Sequence, residues 1–274
     1  MWILYILLPL AAVGLIAYFI YENNTLYTRR IHITSEKLKN ARIVVISDLH
    51  NKSFGTDNQK LVSIIKAKRP DVVLFAGDLT DRRKPYKSTG TDLLKQIAGF
   101  SSVYMILGNH DLKFGHKERI RDELIGSGVF VLENMRQDFT IGGQEVSLLG
   151  LCEHNYDLSR TLSREELDSL IGDFSAAVGY KILICHQPQF FSKPDYEYSS
   201  YNLDLVVAGH THGGVVQFPF IGALLAPGQG FFPKYSKGLY EENETKMIVS
   251  SGLGPSVLPI RFRNKPEIIV LDFQ

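Results

Sequence analysis

The chain has 274 residues, which is enough to bury one substantial core and predicts one large domain with an appendage. Its 30 Lys and Arg residues nearly balance its 29 Asp and Glu residues, so the net charge of +1 gives no basic field for a nucleic-acid backbone. The two cysteines, Cys152 and Cys185, are too few for a disulfide framework or a cysteine-rich zinc module. Composition therefore argues against those modules and gives no support to nucleic-acid binding.

Residues 1–20 predict a membrane anchor. No charged side chain occurs from Trp2 to Ile20, and at about 1.5 Å per helical residue this run covers nearly the roughly 30 Å of bilayer hydrocarbon. A cleaved signal peptide is the alternative, but the run lacks a basic start and a clear small-residue cleavage site before Tyr21. We therefore expect a single-pass protein of the cell membrane, held through residues 2–20. The basic residues that follow favour a cytoplasmic domain but leave its side open: Arg29, Arg30, Lys37 and Lys39.

After a polar connector at residues 21–40, residues 41–274 predict a single α/β domain, because short apolar runs alternate with helix-like segments. The strand candidates are Arg42–Ser47, Val72–Ala76, Val103–Leu107, Val146–Leu151, Lys181–Ile184, Leu205–Ala208, Met247–Ser250 and Glu267–Leu271. Thr56 with Gln59 and Ser163 with Glu166 have the spacing of capping boxes, and the first predicts a helix at residues 56–68. The stretch 217–237, rich in Gly, Pro and Phe, predicts a long irregular loop.

Polar residues of metal-binding type directly follow five of these strand candidates. In chain order they are Asp48 and His50, Asp78, Asn109 and His110, His186, and His210 and His212. Ligands of open α/β sheets gather outside the carboxyl ends of the strands, so these groups can converge although they are distant in sequence. The glycines before Asp78, Asn109 and His210 let the chain turn sharply as each strand ends.

The residue types select the chemistry of this candidate site. Asp48 and His50 are two apart, so on an extended segment both side chains point to the same side and can reach one ion. His210 and His212 have the same spacing and can share an ion or hold one each. Imidazoles, carboxylates and an amide suit Mn, Fe, Co or Zn better than Ca. A carboxylate that bridges two ions about 3.5–4 Å apart gives a clamp for phosphoryl displacement. The pattern predicts two divalent metal ions and phosphoester hydrolysis by a metal-held hydroxide.

Five ordered blocks resemble those of the calcineurin-like metallophosphoesterases: Asp48-Leu49-His50, Gly77-Asp78, Gly108-Asn109-His110-Asp111, His186 and Gly209-His210-Thr211-His212. Each block alone is weak, but the five in this order at strand ends are specific, and the resemblance covers about residues 42–274. Later segments are similar to the membrane-associated branch of that family: Gly213-Gly214, Gly238-Leu239-Tyr240, Gly252-Leu253-Gly254 and Pro259-Ile260-Arg261-Phe262. The resemblance implies a β-sandwich flanked by helices.

The resemblance also implies how the ligands divide between two ions, with Asp78 bridging them. One ion would be held by Asp48, His50 and His212, and the other by Asn109, His186 and His210. His110 would lie outside the metals and donate to the phosphate or protonate the leaving oxygen. A group whose ordinary pKa is about 6.5 can deliver a proton near neutral pH, which agrees with that role.

Other polar residues favour structural roles. Asp81 and Asp111 are expected to cap helices or to hold hydrogen bonds around the ligands. His32 and His116 are expected at the surface. His154 is expected in a solvated loop, and lining of a substrate pocket is its alternative role.

The favoured function is a metal-dependent phosphomonoesterase, phosphodiesterase or pyrophosphatase. The anchor and the apolar stretch after His212 favour a lipid-linked substrate, such as an acylated nucleotide-sugar pyrophosphate, although that stretch could instead fold onto the core as a lid. Two departures from the family pattern leave the substrate open: Val215 in place of Gln, and Cys152-Glu153-His154 in place of a segment like Gly-Asp-Asp.

A non-catalytic scaffold that keeps the fold and binds a protein partner is the alternative function. Such a scaffold would be expected to have lost ligands or His110, and none is missing. A nuclease is disfavoured by the net charge and by the lack of a basic, aromatic-studded stretch. The sequence leaves the oligomeric state and the identity of the metals open.

Overall fold

The computed structural model describes residues 2–112, 115–152, 162–193, 197–256 and 259–274. The α-helices in this part of the chain are α1 (Trp2–Asn24), α2 (Gln59–Ala67), α3 (Thr89–Ala98), α4 (His116–Leu124) and α5 (Arg164–Ser175). Its strands are β1 (Tyr27–Ile33), β2 (Arg42–Ile46), β3 (Val72–Ala76), β4 (Ser102–Ile106), β5 (Val129–Val131), β6 (Met135–Ile141), β7 (Gln144–Gly150), β8 (Tyr180–Ile184), β9 (Leu205–Ala208), β10 (Gln217–Phe218), β11 (Gly222–Ala223), β12 (Leu225–Ala226), β13 (Gly230–Phe231), β14 (Gly238–Glu242), β15 (Thr245–Val249) and β16 (Glu267–Phe273).

Two six-stranded sheets form the body of the domain. The first sheet has the spatial order β1-β16-β2-β3-β4-β5, and only β16 with β2 is an antiparallel pair among its described strands. The second has the order β14-β15-β9-β8-β7-β6, and its central pairs are parallel. Because parallel strands end at the same edge, β2, β3 and β4 bring their carboxyl ends to one edge of the first sheet. Strands β8 and β9 do the same in the second sheet.

The two sheets pack face to face over a shared core. Successive side chains of a strand point to opposite faces, so Ile43 and Val45 of β2 join Ile182 and Ile184 of β8 in one buried cluster. Val44 points the other way, into the cluster that the helices α2, α3 and α4 form on the first sheet. Helix α5 covers the outer face of the second sheet. The predicted β-sandwich flanked by helices is confirmed.

The predicted strands are all present, each within two residues of its expected bounds. The capping box at Ser163 is confirmed, since its Oγ accepts from the Glu166 N–H at 3.2 Å and its own N–H donates to the Glu166 carboxylate at 2.7 Å. The capping box at Thr56 is wrong. A single 3-10 turn that includes Thr56 precedes α2. Asn58 is the residue before α2; it has a φ of 60°, and no side chain caps the helix.

Helix α1 exposes most of its apolar surface. Its segment Tyr5–Asn24 is long and apolar enough to cross a membrane, and only 6% of its most apolar 18 residues are buried. The last turn contacts the domain, where buried Glu22 accepts a hydrogen bond of 2.7 Å from the backbone N–H of Asn264. Residues 21–40, predicted as a connector, contain the end of α1 and all of β1. The division of the chain into anchor, connector and catalytic domain stays a prediction.

The stretch 217–237 contains two short hairpins within its irregular backbone. Strand β10 pairs with β11, and β12 pairs with β13, each over two residues. Gly228 in the second turn has a φ of 74°, a left-handed conformation that glycine adopts without strain. The predicted irregular loop is therefore partly ordered by its own tight turns.

Candidate metal centre

All eight predicted site residues lie where the carboxyl ends of the two sheets meet. Asp48 and His50 follow β2, Asp78 follows β3, and Asn109 and His110 follow β4 in the first sheet. From the second sheet, His186 follows β8, and His210 and His212 follow β9. A pocket of about 140 Å³ opens onto six of them, all except Asp48 and His186, and is also lined by Arg82, Arg83, Pro227 and Ser256.

One group of candidate metal ligands consists of Asp48, His50 and His212. Nε2 of His50 lies 3.2 Å from Nε2 of His212, and these two nitrogens lie 4.0 and 3.8 Å from Oδ1 of Asp48. All three side chains are buried. Their nitrogen and oxygen atoms converge closely enough to hold one metal ion.

A second group consists of Asp78, His186 and His210. Oδ2 of Asp78 lies 3.1 Å from Nε2 of His186, whose Nδ1 lies 2.7 Å from the carbonyl oxygen of Ala76. A carbonyl only accepts, so Nδ1 carries a proton and donates it to Ala76. The same Oδ2 lies 3.6 Å from Nε2 of His50. Asp78 therefore lies between the two groups.

The backbone at these residues is left-handed rather than extended. Asp48 and His50 both have a φ of 50°, Asp78 has 60°, and His210 and His212 have 70° and 48°. The extended geometry expected for Asp48 and His50 is therefore wrong, although the two side chains do converge. Left-handed backbone at residues other than glycine is uncommon and costs free energy, and it clusters at functional sites.

Three glycines at the strand ends leave room for the ligands. Gly77 has a φ of 88°, and a Cβ on it would lie 2.7 Å from Nδ1 of His186. Gly108 and Gly209 have ordinary φ values, so their role differs from the sharp turn expected from sequence. A Cβ on Gly209 would lie 2.6 Å from Oδ2 of Asp48, and one on Gly108 would lie 2.5 Å from the backbone nitrogen of Asp78. Glycine is needed there for close approach.

Burial keeps the imidazoles of His50, His210 and His212 neutral. Burial lowers the pKa of His50 to about 4 and that of His210 to about 3, and it also lowers the pKa of His212 well below its usual range. Burial raises the pKa of Asp78, but the neighbouring imidazoles, led by His186, outweigh it and hold that pKa low. Burial and the Asp78 charge raise the pKa of Asp48 to about 7. Neutral imidazoles offer the lone pairs that metals bind.

The donor set fits divalent metal ions. Oδ1 of Asn109 is buried beside the pocket and has no hydrogen-bond partner among the described residues, which suits an amide oxygen that binds a cation. Asp48 is a buried carboxylate, and burial raises its pKa because a charge out of water is costly without an opposite charge beside it. A cation at this position would supply that charge.

His110 stands at the mouth of the pocket. Its side chain is 13% exposed, and its ring lies edge-on to that of His50 at 4.5 Å between centroids. Nδ1 accepts from the Arg82 N–H at 3.3 Å and lies 3.5 Å from Oδ1 of Asp81. The backbone N–H of His110 donates to Oδ1 of Asp78 at 2.8 Å. His110 therefore contacts Asp78 through its backbone and leaves its ring facing the pocket.

Two polar residues near the ligands, Asp111 and His116, are buried, and the second was expected at the surface. Asp111 is buried and accepts from the backbone N–H groups of Leu79, Thr80 and Gly108, so it ties the ends of β3 and β4 together. His116, expected at the surface, is buried, and its Nδ1 lies 3.1 Å from Oγ1 of Thr80. A polar partner inside the fold explains the difference. His154 lies outside the described residues.

Sequence reasoning assigned no role at the site to Arg261 and Asn264, which hydrogen-bond to the backbone around it. Arg261 is fully buried and donates to the carbonyl oxygens of Ser251, Gly252, Gly254 and Asn264. The N–H of Gly254 donates in turn to the carbonyl of Asp48 at 2.6 Å.

Asn264 donates through Nδ2 to the carbonyl of His212 at 2.7 Å. Its backbone N–H is the donor to Glu22 of α1, so α1 is joined to a candidate ligand by two hydrogen bonds. The Pro-Ile-Arg-Phe segment was the only signal that pointed to this region.

A helix-flanked sandwich with clustered His and Asp side chains at its strand ends has the donor groups of a metal-binding site. The family described as calcineurin-like phosphoesterase matches residues 41–214. The chain is similar to an uncharacterized metallophosphoesterase of Bacillus subtilis, YkuE, with 32% identity over 242 residues, 85% of this chain and 79% of the relative. This chain belongs to the calcineurin-like phosphoesterases and is a phosphoesterase.

Two further proteins are similar to this chain. A Danio rerio relative described as a transmembrane protein with metallophosphoesterase domain is 28% identical over 256 residues, 85% of this chain and 53% of the relative. The solved structure of TT1561 from Thermus thermophilus has a TM-score of 0.50 and 13% identity, over 78% of this chain and 91% of that chain. The second likeness concerns the fold alone.

Proposed function

We propose that this phosphoesterase works with two divalent ions that share Asp78. The observation that carries the proposal is the position of Oδ2 of Asp78, 3.1 Å from Nε2 of His186 and 3.6 Å from Nε2 of His50. The proposed ligands are Asp48, His50 and His212 for one ion, and Asn109, His186 and His210 for the other. Nitrogen and oxygen donors of this kind suit Mn, Fe, Zn or Co. When bound, such ions polarise the phosphoryl oxygens and neutralise charge that develops during the displacement.

His110 is proposed as the residue that delivers a proton to the leaving oxygen. Burial lowers its pKa, so the ring is neutral at pH 7 until it takes up a second proton, and that second proton is the one it can deliver. Because Nδ1 accepts the Arg82 N–H, the proton of the neutral ring sits on Nε2, which can donate a hydrogen bond to a group in the pocket. Asp81 at 3.5 Å from Nδ1 can stabilise the ring when it becomes charged.

We further propose that α1 holds the enzyme in the cell membrane and that the substrate is lipid-linked. A groove of about 520 Å³ runs between the last turns of α1 and the domain, and it is lined by Ile16, Phe19 and Ile20 on the helix side. His50 lines both this groove and the metal pocket, so the two adjoin. An acyl chain lying along α1 could therefore present its phosphate to the metals. Lys52 and Lys84 line the same groove and suit an anionic headgroup.

Metal-dependent turnover tests the proposed chemistry. Full-length enzyme should hydrolyse bis(p-nitrophenyl) phosphate, lose activity on chelation, and regain it with Mn, Zn, Co or Fe. Metal analysis of the most active form should give two ions per chain. A protein that binds no metal and shows no turnover with any of these ions would instead fit the alternative of a non-catalytic scaffold that binds a protein partner.

A series of p-nitrophenyl alkyl phosphates tests the lipid-linked substrate separately. Each buried CH₂ contributes about 0.8 kcal/mol, so the seven additional CH₂ groups of the octyl ester would contribute about 5.6 kcal/mol if all were buried. Burial of a third of that chain should already raise kcat/KM ~20-fold over the methyl ester. Phe19→Ser should remove most of that rise and leave the methyl ester unchanged. Leu8→Ser is the matched control, because Leu8 is exposed on α1 and does not line the groove. Equal rates for both esters would contradict the lipid-linked substrate and leave the phosphoesterase chemistry standing.

A further inference from the structure

We propose that the two hairpins after the metal centre rest in the headgroup boundary of the bilayer, as a second membrane contact beside α1. The inference rests on the proposed anchoring by α1 and adds a surface of the catalytic domain itself. This aromatic surface consists of the exposed side chains of Phe218, Phe220, Ile221, Leu225, Phe231 and Phe232.

The composition of this region is unusual for a surface that faces water. Residues 215–233 contain no Asp, Glu, Lys, Arg or His. Phe220 is fully exposed and Phe231 is 70% exposed, so these rings do not fold onto the core as a lid. A contiguous exposed apolar patch marks an interaction site, and aromatic rings favour the level of the lipid headgroups.

The depth of the aromatic surface follows from its contact with α1. A helix needs about 20 residues to cross roughly 30 Å of hydrocarbon, so a span within α1 ends between Tyr21 and Asn24. The ring of Tyr18 lies 5.6 Å from that of Phe262, which in turn lies 6.5 Å from that of Phe218. Tyr18 precedes the end of the span by less than two helical turns, so ring contacts connect the first hairpin to the last turns of α1.

This connection to α1 indicates that lipid, rather than water or protein, covers the aromatic surface. If α1 crosses the bilayer, the space beside Phe218 is filled by lipid headgroups and the first carbons of the acyl chains. Pro227, in the turn between β12 and β13, lines the metal pocket. The rim of the pocket would then face the lipid surface, and a phosphoester could enter without leaving the membrane.

Fluorescence of single tryptophans in the full-length protein tests this contact. In a Trp2→Phe background, Phe220→Trp and Phe231→Trp place reporters on the two hairpins, and Val178→Trp is the control. Val178 is 71% exposed and precedes β8, at the edge of the sheet away from the metal centre. Leu10→Trp reports the insertion of α1. Each protein is reconstituted in phosphatidylcholine vesicles, with iodide as the aqueous quencher and 6,7-dibrominated lipid as the membrane quencher.

We expect both hairpin reporters to be at least threefold less sensitive to iodide than the Val178→Trp control and to be quenched by the brominated lipid. If the hairpin reporters match the control while Leu10→Trp is quenched by the lipid, the anchor stands and the second contact is refuted. Protection from iodide without quenching by brominated lipid would mean that a protein or a second copy covers the surface, and would also refute it. Absence of lipid quenching in Phe220→Trp, Phe231→Trp and Leu10→Trp alike would overturn the anchor and the contact together.

Discussion

Gly108→Ala should disable the metal centre without altering any proposed ligand. A Cβ at this position would lie 2.5 Å from the backbone nitrogen of Asp78 and closer still to its Oδ1, whereas real Cβ atoms essentially never approach within 3.0 Å. Gly108 has an ordinary φ, so alanine adds a collision and no backbone strain. Because the close neighbour is backbone, a rotamer change of Asp78 cannot relieve the contact.

The size of the effect follows from the shift that is required. Asp78 must move by about 0.5 Å or more, and metal-ligand distances tolerate only about 0.2 Å. A misplacement of about 1 Å can cost 10²-fold in rate, so we expect kcat/KM for bis(p-nitrophenyl) phosphate to fall by roughly 10- to 100-fold, with metal content below two ions per chain. Gly172→Ala in α5 is the control, since no atom lies within 4 Å of its added Cβ. Retention of both ions and of turnover within threefold of the parent enzyme would refute the reasoning.

Asp78→Asn should lower metal content and abolish turnover, because an amide does not offset the repulsion between two cations; a variant that keeps both ions would rule out bridging. His110→Ala should keep the metals, since its backbone N–H to Asp78 remains, but lose about 100- to 10,000-fold in rate, and less with a nitrophenyl leaving group than with an alkyl one. Equal losses for both leaving groups would point to phosphate positioning. Arg261→Met should lower the free energy of unfolding by about 3–5 kcal/mol, because buried carbonyl oxygens lose their charged donor. The Tm should fall by roughly 6–20 °C, and a Tm within 2 °C of the parent would contradict this. Chelation should lower the Tm of the parent enzyme, since ions at 100 times their Kd contribute about 2.7 kcal/mol per site, and an unchanged Tm would mean that no ion was bound.

The candidate ligands were predictable because each directly follows a short buried strand. Once β3 and β8 are recognised as apolar runs, Asp78 and His186 must emerge at the strand ends, whichever sheet holds them. The local backbone was less accessible, since the left-handed φ values of Asp48 and His50 depend on how the loops pack. The burial of His116 likewise depends on Thr80, which is 36 residues away.

Strand β1 was missed because its sequence carries the charges of a connector. Arg29 and Arg30 were read as flanking charges of the anchor, but in the sheet they pair with Glu267 at 2.9 Å and Asp272 at 3.3 Å. Those partners lie about 240 residues along the chain and leave no local pattern. For the same reason the hydrogen bond between Glu22 and Asn264 could not be inferred from either segment alone.

The position of β16 between β1 and β2 dictates an order of assembly. Among the described strands, β1 hydrogen-bonds only to β16, and the pairing joins Tyr27 to Glu267. During synthesis at about 5–20 residues per second, β1 waits roughly 10–50 s for its neighbour, while α1 has long since left the ribosome. Arg261 and Asn264 also arrive in that last segment. The early helix and the unpaired edge of β1 must therefore be kept from other partners until the chain is nearly complete, so a truncation within residues 260–273 would leave β1 without its neighbouring strand.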